Sequence, residues 1–320
     1  MNIAEEKMPV YENKIRMLTE NIESVVVCKR STVALLLTAL LCRGHVLLED
    51  VPGVGKTMLV NSLAKSLSLS FQRVQCTPDM LPGDITGFTM YNIHTGQSEY
   101  KQGPIMSQLF LADEINRTSP KTQAALLEAM EERQVTVDGT TYPLPKPFMV
   151  LATQNPVESE GTFPLPEAQL DRFLMRVRMG YPSKEQEIEL LSRFDQADPF
   201  EALQPVAGVL DVLELQQAAA GVFVSEAIKE YIVELIAATR TAKYVSLGAS
   251  PRAGLNLMKA SQAFALISGG SFVTPEDVRA IAVPVLAHRL ILNREGKMKQ
   301  ISSEKVIRDI LAQIPVPPML

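Results

Sequence analysis

The sequence has no tryptophan, only three cysteines and three histidines, and aromatic residues at 6% of its 320 positions. Cys28, Cys42 and Cys76 are odd in number and sit in apolar or strand-like stretches, which excludes a disulfide framework and reads as reduced core thiols. His45, His94 and His288 are too scattered to build a metal centre from protein ligands. No apolar run approaches the roughly 20 residues of a membrane span; the longest, Val33 to Cys42, falls well short. The first residues, Met1 to Lys7, lack the basic-then-apolar form of a secretory signal. These absences predict a cytoplasmic protein with no membrane segment. There is also no basic excess: the net charge is −5, which weighs against nucleic acid as the main partner without excluding a local basic patch.

What is present is globular. Hydrophobic residues make up 46% and charged residues 21%, and the length suffices for one large or two modest domains. The most informative stretch runs from His45 to Thr57. The apolar run Val46 to Leu48 leads through a Pro-Gly turn into Gly55-Lys56-Thr57, and helical apolar spacing follows at Met58, Leu59, Leu63 and Leu67. Strand, phosphate loop and helix occur in the order that nucleotide binding requires. Backbone N–H groups of the loop and the positive end of the helix cradle phosphates. The expected cradle is Asp50, Pro52, Gly53, Val54, Gly55, Lys56, Thr57 and Met58. Lys56 would reach the β- and γ-phosphates, and the Thr57 hydroxyl would ligate Mg²⁺. The written motif asks for glycine where Asp50 stands; Gly53 and Gly55 still free the backbone. The pattern predicts ATP as ligand.

Helical spacing covers residues 10 to 27, and a second helix is expected from Ser31, as N-cap, to Cys42. Phe71 to Gln75 reads as a short strand. From about 77 to 104, glycine, proline and polar residues mark an insertion of loops and a hairpin. A buried strand ends at Asp113-Glu114, and an amphipathic helix spans Lys121 to Glu132. Residues 134 to 144 alternate around Asp138-Gly139, a hairpin signal. Phe148 to Thr153 and Leu174 to Met179 are further strands. Tyr181-Pro182-Ser183 marks a boundary between an α/β half, 1–182, and an all-helical half, 183–320. Expected helices there are Lys184 to Phe194, Asp211 to Ala219, Ser225 to Thr239, Pro251 to Ile267 and Thr274 to Ala287, with Ser183, Ser225 and Thr274 as N-caps. Alternation in the first half implies a parallel sheet covered on both faces.

Coupled to a phosphate loop, Asp113 and Glu114 fit the two acidic roles of ATP hydrolysis. One carboxylate holds the Mg²⁺ shell, Asp113 through water, and one, Glu114, activates the attacking water. Asn155 follows a neighbouring strand, where its amide can reach a γ-phosphate, although Asn-Pro alone reads as a turn. Arg172 and Arg252 could each stabilise phosphoryl transfer, but a lone arginine is ordinarily a surface residue. Spacing alone promotes neither.

The motifs Gly-Val-Gly-Lys-Thr, Leu-Ala-Asp-Glu-Ile-Asn-Arg, Ala-Thr-Gln-Asn-Pro, Pro-Leu-Pro-Glu-Ala-Gln-Leu-Asp-Arg-Phe and Ser-Pro-Arg-Ala occur in that order. Together they closely resemble the MoxR family of AAA+ ATPases, over about residues 15 to 317. The resemblance implies an AAA+ P-loop αβα core with a parallel sheet, then an all-α lid, assembled as a hexameric ring with ATP between subunits. It implies that Lys56 and Thr57 are Walker A, Asp113 and Glu114 Walker B, Asn155 sensor 1, Arg172 the arginine finger and Arg252 sensor 2. It leaves open whether Arg252 serves its own nucleotide or a neighbour's. The insertion at 77–104 matches the family's helix-2 insert, and the hairpin at about 133–145 the one before sensor 1. Relatives often read Val-Gly-Gln beside the adenine, where this chain has Val27-Cys28-Lys29. The implied activity is ATP hydrolysis that remodels or matures protein clients, among them proteins with von Willebrand A domains. Two other classes remain: a nucleic-acid motor, disfavoured because residues 134–144 carry no Lys or Arg, and a nucleotide-gated scaffold with little hydrolysis. The chain ends just after the expected lid, so partner recognition is expected on the core, the insertion or a separate protein.

Overall fold

The computed structural model describes residues 3–49, 51, 53–94, 96–155, 161–195 and 198–318. Five strands form one sheet: β1 (Val46–Glu49), β2 (Phe71–Gln75), β3 (Leu109–Asp113), β4 (Met149–Gln154) and β5 (Met175–Val177). Their order is β2-β3-β4-β1-β5, and every pairing is parallel. The first half also contributes helices α1 (Ile3–Glu23), α2 (Arg30–Leu41), α3 (Lys56–Ser66) and α4 (Pro120–Glu132). The second half is built from α5 (Lys184–Phe194), α6 (Val209–Ala220), α7 (Glu226–Thr241), α8 (Pro251–Ile267), α9 (Pro275–Leu286) and α10 (Ser303–Gln313), with shorter turns between.

Strand periodicity divides the core in two. Val46, Leu48, Leu109, Leu111, Met149 and Leu151 face one side, in a cluster that includes residues of α1, α2 and α3 and continues into the helical half. Their neighbours Leu47, Phe110, Ala112, Val150 and Ala152 face the other side, against Leu126, Leu127 and Met130 of α4. Because both faces are covered, the central strands are apolar along almost their whole length. Each of β1 to β4 then ends in a polar residue: Glu49, Gln75, Asp113 and Gln154. The apolar part of the sheet stops at one level, and the chemistry sits on its C-terminal edge.

The expected insertion is a short helix, Pro82–Thr86, followed by an antiparallel hairpin of Gly87–Asn92 with Gln97–Gln102. Its base closes on Gly87 and Gly103, where an added Cβ would lie 2.3 Å from the Lys101 carbonyl and 2.2 Å from that of Ile85. The second hairpin pairs Gln134–Val137 with Thr140–Pro143. Asp138 and Gly139 both take positive φ, +49° and +78°, as a two-residue type I′ turn requires.

The helices α5 and α8 match the sequence expectation to the residue, and Ser183, Ser225 and Thr274 cap their helices. Other features differ. Helix α1 runs from Ile3 to Glu23, not from 10 to 27. The second half, expected to be all helical, also holds a short antiparallel pair, Val245–Leu247 with Ile291–Leu292. Helix α2 starts at Arg30 with Lys29, not Ser31, at the N-cap and no side-chain cap, because Val27 to Lys29 line a crevice with Val54 of the phosphate loop. Helix α10 was not expected; its N-cap is Ser302 and its apolar stripe is Val306, Ile307, Ile310 and Leu311.

Phe110 is fully buried between the sheet and α4. Phe110→Ala should cost about 3–5 kcal/mol in denaturant unfolding; a loss below about 1 kcal/mol would contradict this placement of the second core.

Candidate active site

Ligands of open parallel sheets bind beyond the carboxyl ends of the strands, where the connections diverge. Here β1 separates β4 from β5, and the phosphate loop leaves the end of β1. Gly53 and Gly55 hold φ of +83° and +86°, and an added Cβ would meet nothing within 4 Å at either. Glycine is therefore required by backbone conformation and not by space. Helix α3 begins at Lys56 with Gly55 at its N-cap and no side-chain cap. Its first-turn N–H groups thus have no competing side-chain acceptor at the cap, which suits a phosphate. Of the residues expected to contact the nucleotide, Asp50 and Pro52 lie outside the described residues.

Beside the loop, Val27, Cys28, Lys29, Val54, Tyr181 and Pro182 line a narrow crevice. The segment that departs from the family pattern therefore stands against the loop. Burial, aided by the charge of Glu23, pushes the Cys28 thiol up to about 11, so it is neutral there and suits the face of an uncharged base.

Asp113 and Glu114 end β3 as an organised pair. The Thr153 hydroxyl on β4 donates to Asp113 Oδ1 at 2.5 Å and accepts the Glu114 backbone N–H at 2.7 Å. One fully buried hydroxyl thus ties both acidic residues to the neighbouring strand. Asp113 Oδ2 accepts from Arg73 Nη2 at 2.6 Å and Nε at 3.1 Å. Glu114 takes the left-handed conformation, φ +57° and ψ +51°, at a cost of order 1 kcal/mol. That kink turns the chain out of the sheet. Glu114 Oε2 accepts from Gln75 Nε2 at 2.8 Å and Arg117 Nη1 at 2.9 Å. Asn155 follows β4 and is 5% exposed. The structure therefore gathers Lys56, Thr57, Asp113, Glu114 and Asn155 on one edge.

Among the described residues no three His, Cys, Asp or Glu side chains gather as a metal cage. Mg²⁺ needs none: it keeps waters and substrate phosphates and takes one or two protein oxygens. The Asp113 carboxylate and Thr57 hydroxyl have the right chemistry for that.

Arg172 and Arg252 lie elsewhere. Both line a crevice with Gly44, His45 and Leu174, residues that precede β1 and β5. This is the N-terminal edge of the sheet. With strands of three to six residues, the two edges are on the order of 15 Å apart at about 3.3 Å per residue. Arg172 Nη1 donates to Leu127 O at 2.7 Å, and Arg252 Nη2 lies 2.7 Å from both Glu131 oxygens, so each is tethered to the end of α4.

The helical half grips both edges. Arg289, whose side chain is 2% exposed, donates to Asp171 Oδ1 at 2.6 Å, Phe173 O at 2.7 Å and Leu174 O at 3.0 Å. His288 Nε2 lies 3.1 Å from Phe173 O; burial first, then the Arg289 charge, holds the ring neutral, well below the usual histidine range. These contacts bracket Arg172. At the other edge, Glu49, Arg176, Arg178 and Glu304 form a network. Arg178 Nε donates to Glu49 at 2.9 Å, and Glu304 Oε1 accepts from Arg176 at 2.7 Å and Arg178 at 3.1 Å. Helix α10 is thereby fixed to the strand that feeds the phosphate loop.

Sequence reasoning missed Gln75, Arg73, Thr153, Glu131 and Arg289. For Gln75 a signal existed, since it is the polar end of an otherwise plausible core strand. Arg73 and Thr153 become visible only with the strand order, and Glu131 and Arg289 only with the packing of the helical half.

Burial works to raise the Glu304 pKa, but backbone hydrogen bonding and the charges of Arg176 and Arg178 leave it below 4.5. A depressed carboxylate stabilises the fold above its unfolded pKa and loses that contribution as pH falls through the folded one. Glu304→Gln should therefore cost on the order of 2 kcal/mol at pH 7. The gap from wild type should shrink on titration below about pH 4.5. A gap that does not change with pH would contradict the network's charge.

Comparison with known proteins accords with this geometry. Residues 45–175 match the ATPase family associated with various cellular activities (AAA), and residues 237–310 match the AAA lid domain. The protein YeaC of Bacillus subtilis, uncharacterised, is 54% identical over 93% of both chains. Chaperone MoxR1 of Mycobacterium tuberculosis is 42% identical over 92% of this chain and 80% of its own, and protein MoxR of Paracoccus denitrificans 33% identical over 92% and 94%. A crystal structure from Cytophaga hutchinsonii, of a candidate ATPase, superposes with a TM-score of 0.92 at 44% identity over 98% of both chains. With its P-loop αβα core, parallel sheet and helical lid, this chain belongs to the MoxR family of AAA+ ATPases.

Proposed function

We propose that this chain hydrolyses ATP at sites shared between neighbouring copies in a ring, hexameric as the family pattern implies, and uses the cycle to remodel or mature protein partners. The observation that carries this reading is the separation of the two half-sites. Lys56, Thr57, Asp113, Glu114 and Asn155 stand on one edge of the sheet, and Arg172 and Arg252 on the other. A chain with both needs a second copy to bring them together, and head-to-tail contacts of that kind generate a ring where the rotation closes.

In this mechanism the loop amides, the α3 N-terminus and Lys56 bind and orient the phosphates. Thr57 and Asp113 would hold Mg²⁺, which would supply positive charge against the phosphates. Glu114 accepts a proton from the attacking water, assisted by the Asn155 amide. Its carboxylate oxygen is held by Gln75 and Arg117 in the lone chain. Arg172 and Arg252 of the adjacent copy stabilise the charge of transfer.

A protein partner fits the surface better than nucleic acid does. The insertion hairpin exposes Phe88, Met90, Tyr91 and Ile93, an apolar tip suited to polypeptide. The second hairpin carries no Lys or Arg between 134 and 144, whereas a strand-tracking element needs positive charge. The name of the mycobacterial relative, a chaperone, supports the same reading. Proteins with von Willebrand A domains are one client class to assay.

Arg172→Ala should leave ATP affinity unchanged and lower kcat by about 10³-fold. Equal loss of affinity and turnover would contradict a role on the neighbour's nucleotide. Hydrolysis stimulated severalfold by single-stranded DNA would favour a motor instead.

A further inference from the structure

The crevice at the N-terminal edge of the sheet holds far more positive charge than the two arginines singled out so far. Arg43, Arg133, Arg172, Arg252 and Lys259 line it against a single carboxylate, Glu131. These cations come from separate places in the chain. Arg43 lies between α2 and β1, Arg133 follows α4, Arg172 precedes β5, and Arg252 and Lys259 stand seven residues apart on α8, two turns along one face. Arg43 is held in the left-handed conformation at φ +56°.

Arg133 is committed to structure, donating to Phe148 O at 3.0 Å and to Arg43 O. His45 adds no charge, since burial and the Arg133 charge push it down to about 3. The remaining four cations face the crevice, Arg172 half-buried and Arg43, Lys259 and Arg252 exposed. Such a gathering of like charge is unfavourable unless an anion offsets it. Glu131 places both oxygens 2.7 Å from Arg252 Nη2, the charge of Asp171, itself paired with Arg289, also bears on Arg252, and the negative end of α4 adds a fraction of a charge. Four cations, Arg43 and Lys259 exposed and Arg172 and Arg252 held by Leu127 O and Glu131, against so little negative charge fit a polyanion, and the terminal phosphates of ATP are one.

We propose that two further residues of this crevice, Lys259 and Arg43, contact the terminal phosphates of ATP bound to a neighbouring copy. They act beside Arg172 and Arg252, and Glu131 holds Arg252 in the place that the phosphate takes. This rests on the shared-site reading above and assigns residues that the family motifs do not.

The test is complementation between full-length variants. Lys259→Gln keeps its own phosphate loop, so its affinity for a fluorescent ATP analogue should match wild type while its turnover falls about tenfold. Lys56→Ala has no working loop but an intact crevice. In an equal mixture about a quarter of the head-to-tail interfaces join an intact loop to an intact crevice, so activity should rise severalfold above the mean of the two variants. Arg172→Ala mixed with Lys56→Ala tests the shared site on its own. Recovery with Arg172→Ala but not with Lys259→Gln would overturn the present proposal and leave the shared site standing. Recovery with neither would overturn both. Undiminished turnover in the Arg43→Gln, Lys259→Gln double variant would overturn the proposal, and near-normal turnover in Lys259→Arg would support it.

Discussion

A parallel sheet has two unlike edges, and everything else in this molecule depends on that inequality. All five strands point the same way, so every connection that leaves a strand's carboxyl end lies at one edge and every segment that enters lies at the other. The phosphate loop, the acidic pair and Asn155 each follow a strand. Arg172 and the turn at Arg43 each precede one. Topology alone therefore separates the two groups by the length of the sheet. The proposed function takes each edge as half of a reaction centre, to be joined by association of two copies.

The helical half is more than a cover. Its apolar residues share one cluster with α1, α2 and a face of the sheet. Its polar anchors reach both edges. Arg289 and His288 hold the backbone around Arg172, and Glu304 holds the strand beneath the phosphate loop. Any rotation of these helices strains both half-sites together. In the proposed ring, that coupling would carry phosphate occupancy at one edge to the arginines at the other, and so to the next copy. Thr153 plays the local counterpart, since a single hydroxyl sets Asp113 and Glu114 relative to β4.

Much of this was legible in the chain because periodicity and punctuation agreed. The strand Phe71–Gln75 and the helices α5 and α8 stand where apolar spacing, serine caps and an N1 proline put them. The Asp138-Gly139 turn is where two positive φ values were needed. Helix α10 was missed because a stretch of eleven residues, half of them polar, carries little signal until α7 and α9 are there to bury its stripe. The start of α2 was misread because Ser31 is a good cap in isolation, while tertiary packing of Val27 to Lys29 beside the loop set the boundary instead. At the site, the phosphate loop and the acidic pair were legible from local pattern. What Arg73, Gln75 and Thr153 do was not, because it depends on which strands are neighbours. Nor could spacing say at which edge Arg172 and Arg252 stand; the parallel sheet places Arg172, and the packing of the helical half places Arg252.

The most direct measurement of the central claim is specific ATPase activity against protein concentration, for wild type alone and for wild type titrated with Glu114→Gln. A shared site predicts activity per chain that rises with concentration and is poisoned by the inactive partner beyond simple dilution. Activity that is flat with concentration and falls only in proportion to dilution would mean that each chain works alone, and the division of labour between the two edges would not hold.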